Sequence, residues 1–366
     1  MTRVAFYGSS LLSSYWNGAA TYYRGIIKAM YRHGFDVTFH EPDAYDRQSH
    51  RDIAVPDWAK VNVWAATPEG LRAAAALAAE ADIVIKASGV GYEDDVLLEQ
   101  VMGAARPGAL RIFWDVDAPA TLAAMQQEPQ DALRRMLPEL DMVLTYGGGE
   151  PVIRAYRDLG ARDCVPIYNA LDPDTHHPAP PQDRFAADLG FLANRLPDRE
   201  ARVAEFFLRP AALLPDRRFM LGGSGWNQGD LPGNVQAIGH VGTADHNAFN
   251  TTPRAVLNVA RDSMAATGFS PATRVFEAAG AGGCLITDAW EGIELFLTPD
   301  QEVLVARDGQ DVADILADLT TERSQAIGQA ALKRVLADHT YDRRALQLRD
   351  LLHRIRPGLL AREETL

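Results

Sequence analysis

The sequence predicts an α/β chain with two doubly wound domains, each a parallel sheet covered by helices. Three observations predict it. Short apolar runs alternate with helix-period stretches from the N-terminus to about residue 171. A Pro-rich polar segment, "DPDTHHPAPPQD" (residues 172–183), then breaks the pattern as an interdomain linker does. The alternation resumes after it and ends in two long helical stretches. Repeated strand–helix–strand units imply parallel strands joined by crossover helices. The chain has 366 residues and 47% hydrophobic content, more than one core usually holds.

The elements follow in order. "RVAFYG" (3–8) reads as a buried first strand with Gly8 opening the turn. "ATYYRGIIKAMYRHG" (20–34) is an amphipathic helix with a Gly stop. "FDVTFHE" alternates like a strand. "TPEGLRAAAALAAEA" (67–81) is a helix with Thr67 as N-cap and Pro68 in its first position. "DIVIKASGVG", "LRIFWDVDAP", "MVLTYGGG" and "CVPIYNALD" are further strands with their exits, and a helix lies near 152–159. The predicted division is 1–172, a linker at 173–184, 185–340, and a last segment at 341–366. In the second half "DLGFLAN", "RRFMLGGSGW", "VQAIGHV", "RAVLNVAR", "CLITD" and "EVLVA" read as strands. "DREARVAEFFLRPAALLP" carries one or two helices, and 323–339 and 342–354 finish the chain as helices.

Composition excludes several function classes. The formal net charge is −13, so the chain is a poor general binder of nucleic acid or anionic membrane. An anionic ligand would need a locally basic site. The two cysteines, Cys164 and Cys284, lie in apolar strand-like runs and read as reduced, buried thiols of a cytoplasmic protein. No CxxC or Cys/His cluster suggests a metal. His176 and His177 fall in the Pro-rich segment, where solvation is a simpler reading than metal binding. The N-terminus reads as a strand rather than a signal peptide, and no apolar run is long enough to cross a membrane. Nothing in the sequence sets an oligomeric state.

Two such domains joined by a linker place a cleft between them, and ligands of doubly wound sheets collect at strand carboxyl ends. The residues of interest lie there. In "GFSPATRVFEAAGAGG" (268–283) Ser270 suits an N-cap and Pro271 a first helical position. The helix start at Ser270, Pro271, Ala272 and Thr273 would offer free N–H groups and the positive dipole end to a phosphate. Arg274 adds a charge-assisted donor, and Glu277, three residues on, could accept two hydrogen bonds from a ribose diol. The plain alternative is an i, i+3 ion pair between the two. "GGSGW" (222–226), with Gly223, Ser224 and Trp226, is either a close backbone approach to a ligand or a tight turn. "GHV" offers backbone groups and His240 to a base edge, with Val241 beside it; a lone His is otherwise structural. The loop after the first strand is rich in small polar groups, and Ser9, Ser10, Asn17 and Thr21 could cradle a transferred group or an acceptor. It lacks GxGxxG spacing and a Walker Lys. "WDVDAP" (114–119) carries Asp115 and Asp117, which fit a metal pair, a general base or, for Asp117, a helix cap.

Together "LGFLANRLPDREARVAEFF", "FMLGGSGW", "IGHV", "VLNVARDSMAATGFSPATRVFEAAGAGGCLITD" and "HTYDRRALQLRDLL" resemble the C-terminal half of GT-B glycosyltransferases. The likeness is to the bacterial family named after the spore-maturation protein CgeB. "FYGSSLLSSYWNGAATYYRGIIKAMYRHGFDV" and "FWDVDAP" fit its general pattern more weakly. The resemblance implies two Rossmann-like domains, a nucleotide-sugar donor held mainly by the second, an acceptor on the first, and a last helix crossing back to the first. It implies that Glu277 binds the donor ribose and that Ser270, Pro271 and Arg274 bind the diphosphate, with Arg195 and Arg199 near the family's phosphate cations. Two positions depart from the widespread retaining pattern: Phe269 stands where a first Glu is common, and Glu200 where a Lys is common.

The expected activity is sugar transfer from a nucleoside diphosphate sugar to a hydroxyl acceptor, of hexosyltransferase type. UDP is the expected nucleotide, being frequent among such folds. Backbone N–H groups with Arg195 and Arg274 would stabilise the leaving diphosphate without a metal or other cofactor. Asp117 is the first candidate base if the reaction inverts. The rival readings are a sugar-nucleotide epimerase of the same fold and a non-catalytic nucleotide-sugar binder.

Overall fold

A computed structural model describes residues 1–359; the end of the predicted C-terminal segment, 360–366, lies outside the described residues. Internal contacts divide the chain into two units, Met1–Tyr168 with the chain from Tyr341, and Asn169–Thr340.

The first unit is built on seven parallel strands: β1 (Thr2–Tyr7), β2 (Phe35–Asp43), β3 (Lys60–Ala65), β4 (Ile83–Ala87), β5 (Leu110–Asp115), β6 (Met142–Thr145) and β7 (Cys164–Pro166). Their order is β3-β2-β1-β4-β5-β6-β7. Val4 pairs with Val37 on one side and Ile83 on the other, so β1 is central. Such strands are covered on both faces, which is why they read as continuous apolar runs. The sequence did not announce β3. Its "KVNVWA" sits at the edge, with only Trp64 buried.

Helix Ala20–Arg32 buries Tyr22, Tyr23, Ile26, Ile27 and Met30 against this sheet, and Gly34 stops it at φ 87°. Each such side chain contributes about 1.5–3 kcal/mol by leaving water. The Tyr341–Ile355 helix packs on it: a Cβ at Gly25 would meet the Tyr341 ring at 2.2 Å. Arg344 Nε donates to the Tyr168 carbonyl at 3.2 Å and Gln347 Nε2 to that of Pro166 at 3.0 Å.

The second unit has six parallel strands: β8 (Leu189–Leu192), β9 (Phe219–Gly222), β10 (Val235–Gly239), β11 (Ala255–Asn258), β12 (Leu285–Asp288) and β13 (Leu304–Ala306). Their order is β10-β9-β8-β11-β12-β13, over a core that includes Phe191, Phe207, Phe219, Leu257 and Ile286. The Pro-rich segment belongs to this unit. Two of its N–H groups find side-chain acceptors outside the segment: Gln182 N donates to Thr252 Oγ1 at 3.0 Å and His177 N to Asn247 Oδ1 at 3.3 Å. Asn247 Nδ2 returns a bond to the Thr175 carbonyl at 3.0 Å. Cys164 and Cys284 are buried free thiols, both pushed up to about 12 by burial. Among the described residues no helix is long and apolar enough to cross a membrane.

Candidate functional site

Each sheet reverses its strand order once, between β1 and β4 and between β8 and β11. A parallel sheet leaves a crevice at the carboxyl ends of the two strands flanking that reversal. Ser9, Ser10 and Asn17 follow β1, Arg195 and Arg199 follow β8, and residues 270–274 and Glu277 come after β11. The other predicted residues lie at or beyond the ends of β5, β9 and β10 or on the first helix; the two crevices are built differently.

In the first unit the polar residues turn inward. Ser9 Oγ donates to Asn17 Oδ1 at 2.9 Å, and Asn17 Nδ2 donates to the Ser10 carbonyl at 2.8 Å. Ser10 is fully buried and donates to Glu41 Oε1 at 3.1 Å. Glu41, itself fully buried, also accepts from Leu12 N at 3.3 Å and Gln48 Nε2 at 2.6 Å. Ser9, Ser10 and Asn17, expected to cradle a ligand, spend these bonds within the loop and on Glu41; Thr21, at the helix start, is exposed. Arg47, missed in the sequence, is 1% exposed and donates to the carbonyls of Val90 at 2.6 Å and Ser9 and Trp16 at 3.4 Å. What this loop shows to solvent is aromatic: Tyr15 and Trp16.

Asp115 ends β5 fully buried. It accepts from Ser88 Oγ at 2.8 Å, Asp117 N at 2.9 Å, Thr121 Oγ1 at 2.9 Å and Tyr156 OH at 2.5 Å. Burial pushes its carboxyl up, and these donors oppose that. Asp115, expected as a catalytic residue, is fully buried here and ties β5 to three other segments. Asp117 is half-buried just before helix Ala118–Gln127, and its side chain makes no cap hydrogen bond.

The second unit differs. Helix Thr273–Gly280 starts two residues later than the sequence suggests, with Ala272 as N-cap. Ser270 is not the cap, because its hydroxyl donates to the Gly268 carbonyl at 2.9 Å within the preceding turn. Pro271 is buried, and its carbonyl accepts from Asn169 Nδ2 at 3.2 Å. The first-turn N–H groups at Thr273 and Arg274 lie beyond the reach of intrahelical acceptors.

Arg274 and Glu277 are both half-buried. The ion pair that their spacing allows is not formed. Among the described residues neither makes a hydrogen bond or salt bridge; the Arg274 guanidinium instead lies 5.5 Å from the Phe191 ring centre. Arg199 lies 6.0 Å from the same ring, donating to the Asn194 carbonyl at 3.0 Å. Burial, with repulsion from Arg199, lowers Arg274 to about 10, and Glu277 opposes this. It stays charged at neutral pH. Two cations over one buried ring form the local basic site that an anionic ligand of this acidic chain requires. His246, also missed, belongs to the same group. Its Nε2 is 3.2 Å from the Val241 carbonyl, burial lowers its pKa, and the attraction of Glu277 partly offsets this.

Apart from His240, the other predicted donor residues lie in structural contacts. Arg195 is exposed and paired with Glu200, the residue in the position where a Lys is common. Gly223 is required by packing: at φ 117° its Cβ would meet the Ala193 carbonyl oxygen at 2.1 Å. Ser224 N donates to Asn194 Oδ1 at 2.9 Å, and Trp226 Nε1 to the Ala193 carbonyl at 2.7 Å. Val241 sits in a small apolar cluster with Phe249, and His240 is exposed.

Solved structures align along nearly all of this chain. Sucrose-phosphate synthase from Thermosynechococcus elongatus has a TM-score of 0.68 at 13% identity, over 97% of this chain and 99% of its own. Anabaena HepE in complex with UDP-glucose has a TM-score of 0.67 at 14% identity, over 97% and 100%. An E. coli structure described as trehalose-6-phosphate bound with UDP-2-fluoro glucose gives 0.67 at 11% identity, over 96% and 99%. The fold is GT-B. A family described as glycosyl transferase-like matches residues 199–350, the part of this GT-B chain that holds Arg199, Arg274 and Glu277. No curated protein matches the sequence.

Proposed function

We propose that this GT-B protein transfers a sugar from a nucleoside diphosphate sugar to a hydroxyl acceptor. One observation carries the reading. Arg274 and Glu277 stand one turn apart at a helix start, half-buried and with no hydrogen bond or ion pair among the described residues. Half-burying a guanidinium and a carboxylate without pairing them costs free energy that a ligand can return. The diphosphate would take Arg274, Arg199 and the first-turn N–H groups, and the ribose diol would donate to Glu277. The printed descriptions of two similar structures name UDP-glucose or its fluoro analogue, which supports UDP as nucleotide and a hexose as the group moved. CgeB-like membership rests on the sequence motifs, and a cytoplasmic location on the two buried free thiols.

Negative charge grows on the leaving diphosphate as the glycosidic bond breaks. The two guanidiniums would stabilise it in place of a divalent cation, so the reading is metal-independent. Asp117 is the base candidate for the acceptor proton if the anomeric centre inverts. Calorimetric titration with UDP, GDP, dTDP and their sugars tests donor binding. Product analysis with and without an acceptor panel tests transfer. Glycoside formed only with acceptor supports the proposal. An epimerised donor without acceptor, or binding with no donor consumed, would replace it with one of the rival readings.

A further inference from the structure

The chain leaving β11 carries a cation that the diphosphate reading has not used. Arg261 immediately precedes the short helix Asp262–Thr267, and that helix buries none of its residues. Two crossed ion pairs hold its start. Arg261 Nε lies 2.7 Å from Asp198 Oδ2, and Asp262 Oδ1 lies 3.7 Å from Arg202 Nη1. Asp198 and Arg202 follow β8 and Arg261 follows β11, the two strands that flank the reversal of strand order.

The two ends of this segment are fixed more firmly. Asp288, fully buried, accepts from Ala260 N at 3.1 Å and from Arg202 Nη2 at 2.5 Å. At the far end Phe269 N donates to the Glu291 carbonyl at 2.6 Å, with Gly268 and Phe269 at φ 71° and 49°. Exposed ion pairs are individually weak. A stretch pinned at both ends, with no buried side chain of its helix between them, opens locally at little cost.

Arg261 also belongs to the cation group. Arg199 is depressed first by burial, with Asp198 opposing and Arg261 adding repulsion, and Arg199 in turn repels Arg274. Asp198 is the acidic counter-ion of Arg261 in this arrangement.

We propose that residues 261–267 form a strap at the donor-diphosphate site, in which Arg261 exchanges Asp198 for the phosphates of a nucleoside diphosphate. The inference rests on the sugar-nucleotide reading above. A diphosphate offers more charge than one carboxylate and can accept a guanidinium fork at two oxygens. The exchange carries the start of the strap toward the ligand, while Ala260 and Phe269 stay pinned as its hinges.

The test is UDP titration by calorimetry on the full chain, with hydrogen exchange followed across residues 261–268. In the wild type UDP slows exchange in the strap. Arg261→Ala weakens UDP at least fivefold and abolishes that protection, and Arg261→Lys, which keeps charge but loses the fork, recovers part of both. Asp198→Asn tightens UDP about threefold, because the competing carboxylate is gone. Asp198 is exposed and Arg261 half-buried in a pair of the weak surface kind, so melting curves without ligand stay close to the wild-type value. UDP binding unchanged in Arg261→Ala, or no protection of the strap in the wild type, overturns the strap while the nucleotide reading stands. Weaker binding in Asp198→Asn overturns the exchange by making Asp198 a support for Arg261. No binding of UDP, GDP or dTDP by the wild type overturns both proposals.

Discussion

The two sheets reverse at corresponding places and both end the strand beyond on a buried, bonded aspartate, Asp115 or Asp288, yet only the second leaves charged groups near the reversal without a hydrogen bond or ion pair. After β1, β4 and β5 the charged and hydroxyl groups are buried and bonded to one another: Ser9 to Asn17, Ser10 to Glu41, and four donors to Asp115. After β8 and at helix Thr273–Gly280, Arg274 and Glu277 are half-buried and unpaired among the described residues. A carboxylate whose hydrogen bonds all come from its own chain is part of the scaffold. One held out of water without an internal partner is available to a ligand. Residue type does not separate these cases; the partners do.

The strongest way to break this contrast is Asp115→Ala. It leaves the buried Tyr156 hydroxyl and the Ser88 hydroxyl without their acceptor, while Thr121 keeps the Asp117 carbonyl, so the chain should lose about 3–5 kcal/mol in chemical denaturation. Wild-type stability with lost transfer would instead return Asp115 to the catalytic set. The next effect is on pH. His40 is 2% exposed, stacks on Tyr7 with ring centres 4.4 Å apart, and is lowered by burial to about 4. Its unfolded value is near 6.5. The neutral ring is thus favoured by folding. That stability is complete above about pH 6.5 and is lost as pH falls toward 4, about 3 kcal/mol in all. Stability measured across that window should fall with decreasing pH in the wild type and depend on pH less in His40→Gln.

Smaller effects sharpen the other side of the comparison. Glu277→Ala should weaken UDP at least tenfold, roughly 1.4 kcal/mol. Trp226→Phe removes the bond to the Ala193 carbonyl and part of the ring beneath Arg195, so it should cost about 1 kcal/mol of stability or slightly more and leave UDP affinity within twofold. A large loss of UDP affinity there would make Trp226 a ligand contact.

The strands of both sheets were legible because burial on two faces writes them as apolar runs between Gly-rich exits. β3 was not, since an edge strand with one buried side chain carries no such signal. Arg274 and Glu277 could be picked out by spacing, but the same spacing fits an ion pair, and only the structure shows that none forms. Ser270 had the right chemistry for a cap. The left-handed turn at Gly268 and Phe269 took its hydroxyl first, and the helix began at Thr273. Hydroxyl side chains in the loop after β1 could not reveal which way they turn. Arg47, His246 and Arg261 act through partners far away in sequence, which no local period encodes. Composition could not show that the Pro-rich segment is held by Asn247 and Thr252.

The central claim is that Glu277 serves a ligand and not the fold. Thermal melting of the wild type and Glu277→Ala, each with and without excess UDP, tests it most directly. The account predicts a melting temperature without UDP that is no lower in the variant than in the wild type, a clear rise with UDP in the wild type, and a much smaller rise in the variant. A variant that melts lower without ligand, or that rises with UDP as far as the wild type, would contradict it.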